Sequence, residues 1–202
     1  MPVLLFSALL LIIILLIKYF VGSKWNIGLK LLAVFGIFVG LLAIGLNLLL
    51  DDSFAASTPI HVRAENMTNK KLKVYTIAFR DNSWSGTGNF VTYGSEVKSS
   101  ETSDFWFEND GTYEFWLVAK DQKNKIEYLE VVTESNYEFE SKITANQKVN
   151  ATKAKIAKRL TLKKDRDYQN QQYAIWANII LIGLLVLSLV PLNKRNEKKI
   201  TS

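Results

Sequence analysis

The sequence predicts a membrane protein in which three transmembrane helices carry one small exported antiparallel β-sandwich. Three observations carry that prediction. Apolar runs at residues 3–17, 27–50 and 173–190 open and nearly close the 202-residue chain. The formal net charge of +6 lies on the short segments that flank those runs. Between the second and third runs the hydrophobic repeat becomes two, the period of a strand.

The apolar runs come first. A helix needs roughly 17 to 25 residues to cross a hydrocarbon core, so residues 1–50 read as a two-helix hairpin and 173–191 as a third span. A cleaved signal sequence would begin with positive charge. Met1, Pro2 and Val3 supply none, so the first span is expected to be retained. In the second span Gly36, Gly40 and Gly45 interrupt a leucine background. The Gly36 and Gly40 spacing is a GxxxG pattern, which lets helix backbones approach closely in lipid. The helix admitted there is either the chain's own first span or one from another subunit. Ion and proton paths depend on ionisable groups inside the bilayer. The spans contain no Asp, Glu, Arg or His, so a channel or pump formed by this chain alone is not expected. Tyr173 and Trp176 stand where aromatic rings settle at the headgroup level.

Charge sets the sidedness. Residues 51–172 hold 18 Lys or Arg and 18 Asp or Glu and are neutral in sum. The excess comes from Lys18, Lys24 and Lys30 around the first loop, and from Lys194, Arg195, Lys198 and Lys199 against Glu197 in the tail. Short basic loops stay in the cytoplasm, whereas long segments are exported largely regardless of charge. The predicted topology therefore has the amino terminus and residues 51–172 outside, with the first loop and the 192–202 tail inside. The eight cations within residues 148–166 pull toward the reverse orientation. The second span exits into Asp51 and Asp52, which favours export. Because sidedness explains the basic excess, nucleic acid is not an expected partner.

Residues 51–144 are expected to form the sandwich. Ile60, Val62 and Ala64 alternate with polar neighbours, residues 72–79 are β-branched and aromatic, and further runs follow at 90–93, 96–98, 105–107, 113–119, 126–132 and 137–143. Turn residues at 66–70, 108–111 and 121–124 separate them, and the second of these predicts a hairpin. About seven short strands suit a small sandwich. The stretch Gly111, Thr112, Tyr113, Glu114, Phe115, Trp116, Leu117, Val118, Ala119 resembles the late strand of immunoglobulin-like sandwich modules. That resemblance covers one strand and implies an immunoglobulin-like or similar fold. With Phe115 and Leu117 in the core, Trp116 and Val118 face the other way, toward either another element of the chain or a partner protein.

Residues 145–172 turn rich in Ala, Lys, Leu and Gln, which favour helix. Val149, Ile156, Leu160 and Leu162 make only a thin apolar stripe, so the segment reads as a helical stalk that could lift the sandwich by about 40 Å at 1.5 Å per residue. Its cations, Lys155, Lys158 and Arg159 among them, are candidates to meet lipid headgroups, an acidic partner or a polyanionic polymer.

Chemistry is sparse. With no cysteine and His61 as the only histidine, thiol catalysis, disulfides and cysteine zinc sites are excluded. Gly86 and Gly88 lack the context of a nucleotide loop, and Glu108 with Asp110 lacks the regular oxygen spacing of a calcium loop. No catalytic residue, cofactor or metal is expected. Trp84, in a Ser- and Gly-rich loop, is the candidate contact residue, since tryptophan is enriched at binding hot spots. A cysteine-free exported domain suits a bacterial envelope. The expected function is a non-catalytic inner-membrane subunit or anchor of a secretion, motility or transport assembly. Its partners would be other membrane and periplasmic proteins and the bilayer, with homo-oligomerisation open. The alternative is a membrane-tethered module that binds a glycan or peptide.

Overall fold

A computed structural model describes residues 2–21, 27–51, 59–79, 89–108, 114–133, 137–145 and 149–189. Its elements are α1 (Pro2–Val21), α2 (Ile27–Asp51), β1 (Pro59–Asn66), β2 (Leu72–Phe79), β3 (Asn89–Val97), β4 (Thr102–Glu108), β5 (Glu114–Asp121), β6 (Ile126–Val132), β7 (Glu138–Ile143) and α3 (Ala151–Leu189). The chain divides into two compact units, Met1–Phe54 with Gln169–Ser202, and Ala55–Tyr168.

The first unit is helical. α2, over Ile27–Asn47, and α3 are each long and apolar enough to cross a membrane, whereas the apolar stretch of α1, Pro2–Ile17, is shorter. Within the unit Leu11, Ile14, Ala33 and Leu185 form a buried seam among the three helices. The glycine pattern is used inside the chain. A Cβ at Gly36 would lie 2.6 Å from Ile14 and 3.5 Å from Leu185, and one at Gly40 would lie 2.8 Å from Ile182 and 3.3 Å from Leu11. Gly45, expected on the same packing face, has open space around it. Asn178 Nδ2 donates to the Leu4 carbonyl at 2.9 Å, tying α3 to α1 where little else can satisfy an amide. Replacing Gly40 with leucine is therefore expected to overpack the seam and cost about 1–3 kcal/mol, whereas Gly45→Leu should be near neutral. Detergent-titration unfolding of the helical unit in mixed micelles measures the contrast, and equal costs at both positions would refute it.

The second unit is a two-sheet sandwich with a helix laid on one side. Its strand orders are β4-β1-β7 and β3-β2-β5-β6. The seven strands among the described residues agree with the expected number of about seven, with one departure from an antiparallel design, since β7 runs parallel to β1. After β6 the chain leaves the four-stranded sheet and crosses to the other, where the open edge of β1 offers backbone groups that need partners. The expected 105–119 hairpin is also corrected. β4 pairs with β1 while β5 pairs with β2 and β6, so the chain changes sheets between them. Turn residues permit a reversal but do not choose the strand's neighbour. The two runs at 90–93 and 96–98 form the single strand β3, continuous through Gly94. That glycine is required because a Cβ there would run into the Phe105 ring. Ile60, Val62, Leu72, Val74, Phe115, Leu117 and Ile143 fill the space between the sheets.

Asn66 closes the first turn. Fully buried, its Nδ2 donates to the carbonyls of Lys70, Val97 and Lys98 at 2.8, 3.3 and 3.0 Å. Its Oδ1 accepts from the Thr68 amide and hydroxyl at 3.0 and 2.7 Å. One side chain thus satisfies backbone groups of two separate turns. At about 1 kcal/mol net per hydrogen bond, and more where a buried group is orphaned, Asn66→Ala should lower stability by about 2–3 kcal/mol in thermal unfolding of the full chain in detergent. A loss under about 0.5 kcal/mol would show that water replaces the amide without cost.

The largest correction concerns the stalk. α3 begins at Ala151, where Asn150 Oδ1 accepts from the amides of Thr152 and Lys153 at 3.0 and 3.1 Å in an N-cap. Up to Tyr168 it belongs to the sandwich unit, and it packs on the four-stranded sheet instead of standing free. Ala157 and Leu160, with Val149, Ala154 and Ile156 beside them, join Tyr75, Ile77, Phe79, Trp116 and Val118 in a second core. The stripe is thin because alanines line it, and small residues let the helix sit close to the sheet. Trp116 and Val118, offered as partner contacts, are wholly buried there, covered by the chain's own element.

Candidate interaction site

Two opposite faces of the sandwich unit present chemistry, and each is set by how an element is held. α3 is oriented by a polar clamp as well as by its apolar stripe. Lys120 on β5 is wholly buried and donates to Asp165 Oδ2 at 2.7 Å. Tyr75 on β2 donates its hydroxyl to Asp165 Oδ1 at 2.6 Å, and Lys73 Nζ lies 4.0 Å from the same carboxylate. Burial pulls Lys120 below the usual lysine range, against the pull of Asp165. Burial, then the bond to Asp165, pushes the Tyr75 hydroxyl far up. Burial also acts to raise the Asp165 carboxyl, but the hydrogen bonds from Lys120 and Tyr75 and the nearby positive charge outweigh it and hold the carboxyl below its ordinary value. Farther along the helix Lys153 Nζ sits 5.2 Å from the Trp116 ring centroid, a cation–π contact.

With Asp165 turned inward, the outer side of α3 is left basic. Lys155, Lys158, Arg159, Lys163 and Arg166 are all exposed, and none has an ion-pair partner among the described residues. Three of the expected contact residues, Lys155, Lys158 and Arg159, thus share one surface.

The other face is the outside of the three-stranded sheet. Register places His61 opposite Trp106 and Glu138, and Arg63 opposite Asp104 and Glu140. Trp106 is 58% exposed and stacks on His61 with ring centroids 4.4 Å apart. His61 Nε2 is 2.5 Å from Asp104 Oδ1, which fixes the imidazole under the indole. Arg63 lies 3.8 Å from Glu140. Glu65, Asp104, Glu108, Glu138 and Glu140 outnumber Arg63 and Lys142 on this face, so it is acidic around one exposed tryptophan.

His61, the chain's only histidine, is largely covered on this face by Trp106 and Asp104. Trp106 was missed because residues 105–107 read as one apolar run. A strand alternates, however, and Asp104, Trp106 and Glu108 share a parity opposite to that of Phe105 and Phe107. Trp84 and Asp110 lie outside the described residues. Among the described residues no group of three or more His, Asp or Glu side chains gathers to hold a metal ion.

The fold and these surfaces define a class, an all-β sandwich with an apposed helix on a chain that also carries apolar helices of membrane-crossing length. No protein-family model, curated protein or solved structure matches the chain.

Proposed function

We propose that this chain is a non-catalytic, multi-pass inner-membrane subunit of a multiprotein bacterial envelope assembly. In that reading α1, α2 and the end of α3 all span the bilayer, and the sandwich is exported. The first loop and the tail are cytoplasmic, since their cations account for the whole net charge. The observation that carries the reading is the pair of solvent-facing charged surfaces on the sandwich unit, one of them centred on Trp106. An exposed tryptophan ringed by polar groups is the composition of a protein contact. The glycine seam is filled by the chain's own helices, so the docking role falls to the sandwich and not to Gly36 and Gly40.

Mild detergent solubilisation of native membranes tests this. The chain should migrate in a species well above its own 23.0 kDa mass, together with other proteins, and migration alone at monomer mass would sink the proposal. Sidedness has its own test, because the chain has no cysteine. An impermeant thiol reagent on intact spheroplasts should label Trp106→Cys and spare Ser202→Cys.

A second reading, capture of a glycan or peptide, is favoured by the Trp106 and His61 stack, since a flat indole beside hydrogen-bonding groups also suits a sugar ring. Binding of the purified full chain to a glycan array, abolished by Trp106→Ala, would select it.

A further inference from the structure

We propose that the acidic outer face of the three-stranded sheet in one copy receives the basic outer face of α3 from a second copy, so that the chain self-associates head to tail. The inference rests on the reading of the sandwich as a protein-contact module and names one of its partners.

Three features point to a second copy as the occupant. The first is charge. One face offers Lys155, Lys158, Arg159, Lys163 and Arg166, and the other offers Asp104, Glu138 and Glu140 around Trp106. Each face lacks enough opposite charge of its own, and every copy supplies both in equal number. The second is spacing. Lys155, Arg159 and Lys163 recur at every fourth residue of a helix, so their row rises by about 6 Å per step. Strands lie about 4.8 Å apart, and alternate residues along one strand about 6.7 Å apart, so the acidic face repeats on nearly the same scale. The third is the aromatic. An exposed indole flanked by carboxylates receives a guanidinium by cation–π contact, and Arg159 lies at the middle of the basic row.

Geometry then sets the kind of assembly. The two cores place the layers in the order α3, four-stranded sheet, three-stranded sheet, so the complementary faces are on opposite sides of one unit. An interface between unlike faces is heterologous and builds rings or open rows, not a closed two-fold dimer.

The cysteine-free chain allows a direct test in the full-length protein, purified alone and reconstituted in neutral lipid. Two single-cysteine proteins, Glu140→Cys and Lys158→Cys, should cross-link with each other through a short bis-maleimide and not with themselves. The double variant should give a ladder beyond dimer. About 0.5 M salt should suppress both, because the Debye length falls well below 10 Å, and Trp106→Ala should weaken association about tenfold. In the Lys158→Cys protein, reversing Lys155, Arg159 and Lys163 to glutamate should abolish cross-linking to Glu140→Cys, as should reversing Asp104 and Glu138 to lysine in the Glu140→Cys protein. A mixture of the two reversed proteins should restore it, which a misfolded variant could not do. The proposal is overturned if the purified chain stays monomeric, if Glu140→Cys cross-links to itself as well as to Lys158→Cys, or if the basic row is needed only for binding vesicles of anionic lipid. A chain that is monomeric alone yet runs in a large species from native membranes would sink this inference and leave the complex-subunit reading standing. Monomer in both would sink both.

Discussion

Asp165→Ala is expected to lower the stability of the sandwich unit by about 3–5 kcal/mol, because it leaves the ammonium of a wholly buried Lys120 without its counter-charge. The loss exceeds that of a surface pair, which contributes about 0–1 kcal/mol. Chemical denaturation of the full chain in detergent, followed by tryptophan fluorescence, measures it. A change under about 1 kcal/mol would mean that water reaches Lys120 and that the clamp is not what holds α3. A triple change, Tyr75→Phe, Lys120→Met and Asp165→Leu, removes the polar groups together and should recover most of the loss, since a buried pair is often no better than an apolar replacement. Acid should mimic the single substitution. The native Asp165 carboxyl titrates below its ordinary value of 3.8, so its contribution is complete above about pH 4 and disappears as pH falls through the lower native value. Asp165→Asn should flatten that part of the pH profile, and an unchanged acid limb would place the titrating group elsewhere.

Trp116→Ala should cost about 3–5 kcal/mol, the range for truncating a large buried aromatic. Trp116 is fully buried, its ring is 4.5 Å from that of Phe79, and its Nε1 donates to Glu114 at 2.7 Å. The ring is also a seat for α3, so its removal strips the helix of apolar area and of the Lys153 contact. Faster limited proteolysis within residues 151–168 is the specific readout, because the four-stranded sheet keeps its other core. Global loss without added cleavage there would show that Trp116 stabilises the sheet alone. An intact helix and unchanged stability would contradict its place between the layers.

The strands were legible wherever a period of two meets a clear turn. β2 at Leu72–Phe79 and β6 at Ile126–Val132 were readable to the residue, because branched and aromatic side chains are concentrated between polar breaks. β3 was not, since Gly94 resembles a break in a list of residues and becomes a necessity only beside the Phe105 ring. The even hydrophobicity of β5 showed that both of its faces are covered. What covers the second face was not legible, because the docking stripe of α3 relies on alanines, which carry little hydrophobic signal. The acidic face was visible only as parity within single strands, and it became a surface once β1 joined β4 on one side and β7 on the other.

Composition and period by themselves determined that this chain combines apolar segments of membrane length with a β-rich domain, and that residues 51–172 between those segments carry no net charge. Those properties are sums over neighbours in the chain, so the order of residues suffices to state them. Only the tertiary structure decided that the predicted stalk is a third layer, that Asp165 turns inward to Lys120, and that the sandwich unit ends with one basic and one acidic side. Each of these depends on which residues distant in sequence meet, and that follows from packing two apolar sheet faces and a thin helical stripe against one another.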